Sequence, residues 1–144
     1  MRIAFDMDGT LANFYGVEGW LESLINEDSK PYKVAEPLVN MNSLARILNR
    51  LQKQGVEIGI ISWLSKNGSE TFNAEVTKAK EAWLRKHLKS VRFDFVEIVT
   101  YGTDKNLVNR SNLDILFDDE EPNRKGWNGI TYNVENIIEI LKNF

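Results

Sequence analysis

The chain has 144 residues, 42% of them hydrophobic and 27% charged, which suits one ordinary globular domain with a single core and argues against disorder. Its net charge of −3 gives no general pull toward nucleic acid or anionic membrane. With no cysteine, and His87 as the only histidine, disulfides, thiolate nucleophiles, Cys-based zinc sites and paired-histidine metal sites are excluded, which leaves carboxylates, hydroxyls and lysines for any chemistry.

In chain order, residues 3–7 read as a buried strand that breaks at Gly9. The N-terminus reaches Asp6 too soon for a signal peptide, and no apolar run approaches the roughly 20 residues that span a bilayer, so a cytoplasmic location is expected. Residues 13–42 carry Tyr15, Trp20, Leu21, Leu24 and Ile25, then Pro31 and Pro37; 19–26 suit a helix and the rest reads as irregular. Residues 43–54 place Leu44, Ile47, Leu48 and Leu51 at helical spacing, with Gly55 suited to the C-terminal end. A strand is expected over 56–62, then a helix over 73–88 with Val76, Ala79 and Trp83 on one face. Strands over 93–101, 113–117 and 129–132 follow, with a short helix over 104–109 and a last one bearing Val134, Ile137, Ile138 and Leu141.

Strands that alternate with helices imply parallel pairing and an α/β, doubly wound sheet with helices on both faces. The out-of-pattern segment 13–42 would be a small insertion at the C-terminal edge of the first strand, where ligands bind in open α/β sheets.

Four positions at or just beyond strand ends carry the chemistry. Asp6 and Asp8 are two apart on an extended segment, so they share a face and can address one ligand. Ser62 ends the second strand, Lys105 opens a short helix, and Asp118-Asp119 directly follow Ile115-Leu116-Phe117. Four carboxylates at one sheet edge repel one another unless a cation sits among them, and an all-oxygen set suits Mg²⁺. Lys105 and Ser62 supply a charge and a donor for phosphoryl oxygens. An ionised Asp can attack phosphorus, and a second can protonate the leaving oxygen and then deprotonate water.

Asp6-x-Asp8-Gly9-Thr10, Ser62, Lys105 and Asp118-Asp119, in that order, resemble the four motifs of the haloacid dehalogenase-like (HAD) hydrolase superfamily, over the whole length from Ile3 to the last helix. The resemblance implies a Rossmann-like HAD fold over 1–144, with the Asp6 strand central and a minimal cap at 13–42. It makes Asp6 the nucleophile and a metal ligand, and Asp8 the general acid/base that lends its backbone carbonyl to Mg²⁺. Ser62 and Lys105 become the phosphoryl holders, Asp118 the third protein ligand, and Asp119 a support behind them. Within the superfamily, Asp6-Met7-Asp8-Gly9, Asp104-Lys105 and Phe117-Asp118-Asp119 look most like the 5'(3')-deoxyribonucleotidases and their small phage and bacterial relatives. That resemblance implies a nucleotidase acting on (deoxy)nucleoside monophosphates. Lys30-Pro31-Tyr32, with the Asp pair and a Trp-bearing helix after Ser62, also resembles the 3'-phosphatase domain of polynucleotide kinases, which would act on nucleic-acid ends. The insertion is shorter than a deoxyribonucleotidase cap, and Ser62-Trp63-Leu64-Ser65 differs from the Ser-Pro-like segment of that family. A site that only binds a phosphorylated ligand is a third reading.

Blander readings compete at each position. Asp-x-Asp-Gly occurs in solvated turns, Ser62 could merely end a strand, and Lys66 or Lys125 could replace Lys105. Arg85, Lys86, His87, Lys89 and Arg92 complement a helix C-terminus better than they form a nucleic-acid face. Trp83 reads as core, whereas Trp20 and Trp63 are candidates to stack on a substrate base.

Overall fold

A computed structural model describes residues 1–108 and 114–144. Five strands make one sheet: β1 (Arg2–Phe5), β2 (Glu57–Trp63), β3 (Phe95–Val99), β4 (Ile115–Phe117) and β5 (Ile130–Tyr132). Their order is β3-β2-β1-β4-β5, every pairing is parallel, and β1 lies at the centre. The expected α/β sheet with the Asp6 strand central is therefore observed. Residues 109–113, which hold the end of the helix expected over 104–109 and the first residue of the strand expected over 113–117, lie outside the described residues.

The inner strands are apolar on both faces because helices cover both. Ile3 and Phe5 of β1, with Ile115 and Phe117 of β4, face one side and meet Leu44, Leu48 and Leu51 of α3 (Met41–Lys53) and Ile137 and Leu141 of α7 (Ile137–Lys142). Ala4 and Leu116 point the other way, onto Trp127 and Val108. Each fully buried aliphatic side chain contributes about 1.5–3 kcal/mol of transfer free energy, so this two-sided core dominates the stability of the sheet. Asn40 caps α3 by accepting the Ser43 N–H at 3.0 Å, and Gly55, at φ +91°, ends that segment in a conformation a side chain would resist.

The long helix α4 (Glu70–His87) starts three residues earlier than its apolar spacing predicts, because Ser69 caps it by accepting the Phe72 N–H at 3.1 Å. Its two halves serve different neighbours. Trp83 and Leu84 join the main core, while Phe72, Val76 and Ala79 pack with Phe14 and Tyr32 of the insertion. The insertion is also more regular than its sequence indicates. Beside the expected α1 (Trp20–Ile25) it holds a 3-10 turn at Phe14–Gly16 and a second helix, α2 (Lys30–Val34). Pro31 does not break α2; it occupies the first turn, where its missing N–H costs nothing, and Asp28 accepts the Lys30 N–H at 3.0 Å. Among the described residues two further short helices are α5 (Lys105–Val108) and α6 (Glu121–Lys125). None of the helices among the described residues is long and apolar enough to cross a membrane.

Candidate active site

The site forms where the chain leaves β1. The Met7 carbonyl accepts the N–H groups of Thr10, Leu11 and Ala12 at 3.1, 2.9 and 3.0 Å, which folds the segment back and exposes the Asp6 and Asp8 carboxyls to one cleft. Gly9 sits at φ +81°, and a Cβ there would collide with the Asp119 carboxylate. That glycine is required twice, for its backbone angle and for the close approach of the β4 end.

On the β4 side, Asp118 is fully buried. One oxygen each of Asp6, Asp118 and Asp119 lie within 4.8 Å of one another, an arrangement able to hold a metal ion. Thr10 Oγ1 stands 3.2 Å from Asp6 Oδ2 and 3.3 Å from Asp119 Oδ1. Lys105, also buried, donates to Asp6 Oδ1 at 2.9 Å and to Asp118 Oδ2 at 2.7 Å. Burial alone would lower the Lys105 pKa, but the two carboxylates reverse this and hold it above its ordinary value. Asp118 and Asp119 are both raised, first by burial and then by the neighbouring Asp6 charge.

On the β2 side, Ser62 is one residue inside the strand end and fully buried. A second lysine, Lys80 of α4, reaches it: Nζ donates to Ser62 Oγ at 2.7 Å, to Asp8 Oδ2 at 3.0 Å and to the Trp63 carbonyl at 2.6 Å. Burial raises the Asp8 pKa; Lys80 opposes this and the Asp6 charge reinforces it. Lys80 is absent from the sequence reading, yet a signal existed. It lies four residues after Val76 and three before Trp83, in the apolar stripe of the helix, where a lysine needs a buried partner.

Asp6, Asp8, Asp118 and Asp119 set four carboxylates against Lys80 and Lys105, so two negative charges stay uncompensated when all are ionised. Burial first, and the Asp6 charge second, hold Asp118 and Asp119 toward their protonated forms. A divalent cation with a preference for oxygen fits both the charge and the donor set.

Above the carboxylates opens a cavity of about 300 Å³. Asp6, Asp8 and Lys105 lie at its base, and Phe14, Tyr15, Trp20 and Tyr32 of the insertion, with Trp63 and Tyr101, line its walls. Trp63 is held by its indole N–H, which donates to the Thr103 carbonyl at 2.8 Å, and its ring meets Tyr101 at 5.0 Å.

Neither the protein-family models nor the curated proteins compared with the sequence give a match. Solved structures do. The D,D-heptose 1,7-bisphosphate phosphatase of Burkholderia thailandensis superposes with a TM-score of 0.56 at 12% identity, over 99% of this chain and 97% of that one. The corresponding enzyme of B. bronchiseptica, complexed with magnesium and phosphate, gives 0.57 at 10% identity, over 99% and 96%. The chain has the fold of these phosphatases.

Within this phosphatase fold, the sequence-derived candidates converge. Asp6, Asp8, Ser62, Lys105, Asp118 and Asp119 gather at one edge of the sheet, where Asp6, Asp8 and Lys105 line the cavity together with Trp20 and Trp63. One detail differs from expectation: Asp119, expected as a support behind the metal ligands, supplies an oxygen to the cluster beside Asp6 and Asp118, while the Asp8 carboxyl bonds Lys80. Lys66 also lines the cavity, where it stands over the Tyr101 ring at 5.8 Å, whereas Lys125 pairs with Glu121 at the surface. Arg85, Lys86 and His87 occupy the last turn of α4, with His87 packed on Trp83.

Proposed function

We propose that the protein is a Mg²⁺-dependent phosphomonoester hydrolase that works through an aspartyl-phosphate on Asp6. The carrying observation is the cluster of Asp6, Asp118 and Asp119 oxygens within 4.8 Å, with Lys105 beside it and Asp8 facing the same cavity. The magnesium-and-phosphate complex of a protein that shares this fold supports the reading.

Asp6, Asp118 and Asp119 would hold the ion, which supplies positive charge to the phosphoryl oxygens when bound. Lys105 and Ser62 donate to the remaining phosphoryl oxygens. An Asp6 oxygen attacks phosphorus as the ester P–O bond breaks, and the leaving oxygen takes a proton from Asp8. Water then attacks the phosphorylated Asp6, gives a proton back to Asp8, and releases inorganic phosphate with the carboxylate regenerated.

For the substrate, the aromatic walls favour a flat, stackable group, which supports a (deoxy)nucleoside monophosphate over an open-chain phosphate. The test is phosphate release from 5'- and 3'-deoxynucleoside monophosphates, sugar phosphates including a bisphosphate, and a 3'-phosphorylated oligonucleotide, each with Mg²⁺ and with EDTA. Asp6→Asn is expected to abolish turnover in a folded protein; undiminished turnover overturns the mechanism. Preference for the sugar bisphosphate would overturn the nucleotide assignment alone.

A further inference from the structure

Lys80 lies outside every motif that carries the proposed reaction, and only 1% of its surface is exposed. An ammonium has three N–H groups and no acceptor. In Lys80 all three have partners inside the protein: Asp8 Oδ2, Ser62 Oγ and the Trp63 carbonyl. Lys105 is arranged differently. Among the described residues it bonds Asp6 and Asp118, and it lines the cavity, so a third N–H is left for a ligand. The two buried lysines therefore have distinct capacities, one to bind an anion and one only to hold its neighbours.

We propose that Lys80 is a positioning residue that locks the acid/base Asp8 and the phosphate-binding Ser62 into one unit, an inference that rests on the reaction proposed above. Its bond to Asp8 Oδ2 leaves Oδ1 as the oxygen that exchanges protons with the leaving group and with water. Its bond to Ser62 occupies a lone pair of Oγ, and because Lys80 cannot accept, the Ser62 hydrogen has to point elsewhere. Ser62 is thereby left to act as a donor, the role it has toward the phosphoryl group in the proposed reaction. The Trp63 carbonyl ties both to the end of β2, and the Tyr32 ring of the insertion, 5.2 Å from Nζ, packs against the charge.

A lysine that merely bridged α4 to β2 would affect all substrates alike, whereas one that aims Asp8 matters most when the leaving oxygen needs a proton. The experiment compares single-turnover release from an alkyl phosphomonoester and from p-nitrophenyl phosphate, whose leaving group departs as the anion. It uses wild type, Asp8→Asn, Lys80→Met and the Asp8→Asn/Lys80→Met double variant. Lys80→Met is expected to slow the alkyl ester about 10²-fold and the nitrophenyl ester less than about 10-fold, within the usual range for general acid–base catalysis. Inhibition by inorganic phosphate should weaken alongside, through Ser62. The double variant removes both charges together, so it keeps the test informative if Lys80→Met does not fold. On the alkyl ester it should be no slower than Asp8→Asn, since two residues that act as a unit are not additive. Equal losses on the two esters, or a double variant slowed by the product of the single effects, overturn the proposal. Undiminished turnover in Asp6→Asn would instead overturn the reaction and Lys80's role with it, a result separate from the leaving-group comparison.

Discussion

The sheet edge and the insertion that overhangs it are held by opposite means. At the edge, buried charges are bound in short, mutually dependent contacts: Lys105 between Asp6 and Asp118, and Lys80 among Asp8, Ser62 and Trp63. The insertion is anchored at a few points. Glu27 accepts the Ser69 backbone and hydroxyl hydrogens at 2.8 and 2.7 Å, the Trp83 indole donates to the Ala35 carbonyl at 2.8 Å, and Phe14 and Tyr32 pack on α4. Elsewhere the insertion leaves Tyr15, Leu21, Ile25, Val34 and Leu38 exposed. The difference separates two tasks. Positions that carry charge through a reaction tolerate little displacement, whereas a wall that shapes a cavity can change without dismantling the chemistry.

Replacing one member at the edge is therefore expected to have the largest effect. Asp118→Asn should lower turnover by about 10²–10³-fold or more, the scale for losing one preorganised electrostatic element, and should weaken Mg²⁺ binding in isothermal titration. If turnover and Mg²⁺ affinity both survive, the acidic cluster is not the metal site and the contrast collapses. Across the cleft, Trp20→Ala in the insertion should raise KM for the proposed nucleotide substrate about tenfold with kcat nearly unchanged, since stacking on one aromatic is worth about 1–3 kcal/mol. A comparable fall in kcat would show that the wall takes part in the chemistry.

The smallest expected effect concerns stability and pH. Asp118 is pushed up to about 6 and Asp119 to about 8, so between the ordinary carboxylate range and those values the folded state binds more protons than the unfolded one. Stability then falls as pH rises through that window. Without metal, Tm should drop by a few degrees between about pH 5 and 8, and Mg²⁺, which favours the deprotonated carboxylates, should remove the drop. A metal-free Tm that climbs steadily over this range would contradict the charge excess assigned to the edge.

Much of the edge was legible in the sequence because Asp6, Ser62 and Asp118 are each tied to a strand end. Asp6 and Asp118 directly follow apolar runs too short to be anything but strands, and Gly9 marks the turn that brings the Asp119 carboxylate close. Lys80 was not legible in that way. Its position depends on the phase of an 18-residue helix against β2, a tertiary relation that shows in the sequence only as a lysine in an apolar stripe. The insertion beyond 19–26 was read as irregular, whereas Pro31 sits in the first turn of α2 and the contact of Tyr32 with Phe14 and α4 supports so short a helix. The resemblance gave Asp119 only a supporting place, and its approach to Thr10 depends on the turn at Gly9, which brings the β1 loop back to it.

The central place of β1 also dictates when the molecule becomes competent. Residues 2–5 pair on one side with β2 and on the other with β4, and Thr10 meets Asp119 across 109 positions of sequence. Contacts so distant along the chain close late, after the loop between them has been organised. During synthesis β1, β2, α3 and α4 can associate while the far flank of β1 is still an open strand edge, and Asp6 waits without Lys105 or Asp118. A nascent chain at that stage carries Asp6 with neither Lys105 nor the Asp118 and Asp119 carboxylates beside it, so the proposed reaction has no assembled site, and the bare strand is exposed to edge pairing with other chains. Closure of β4 onto β1 brings Asp118 and Asp119 to Asp6 and moves the open edge outward to β4, where β5 then pairs.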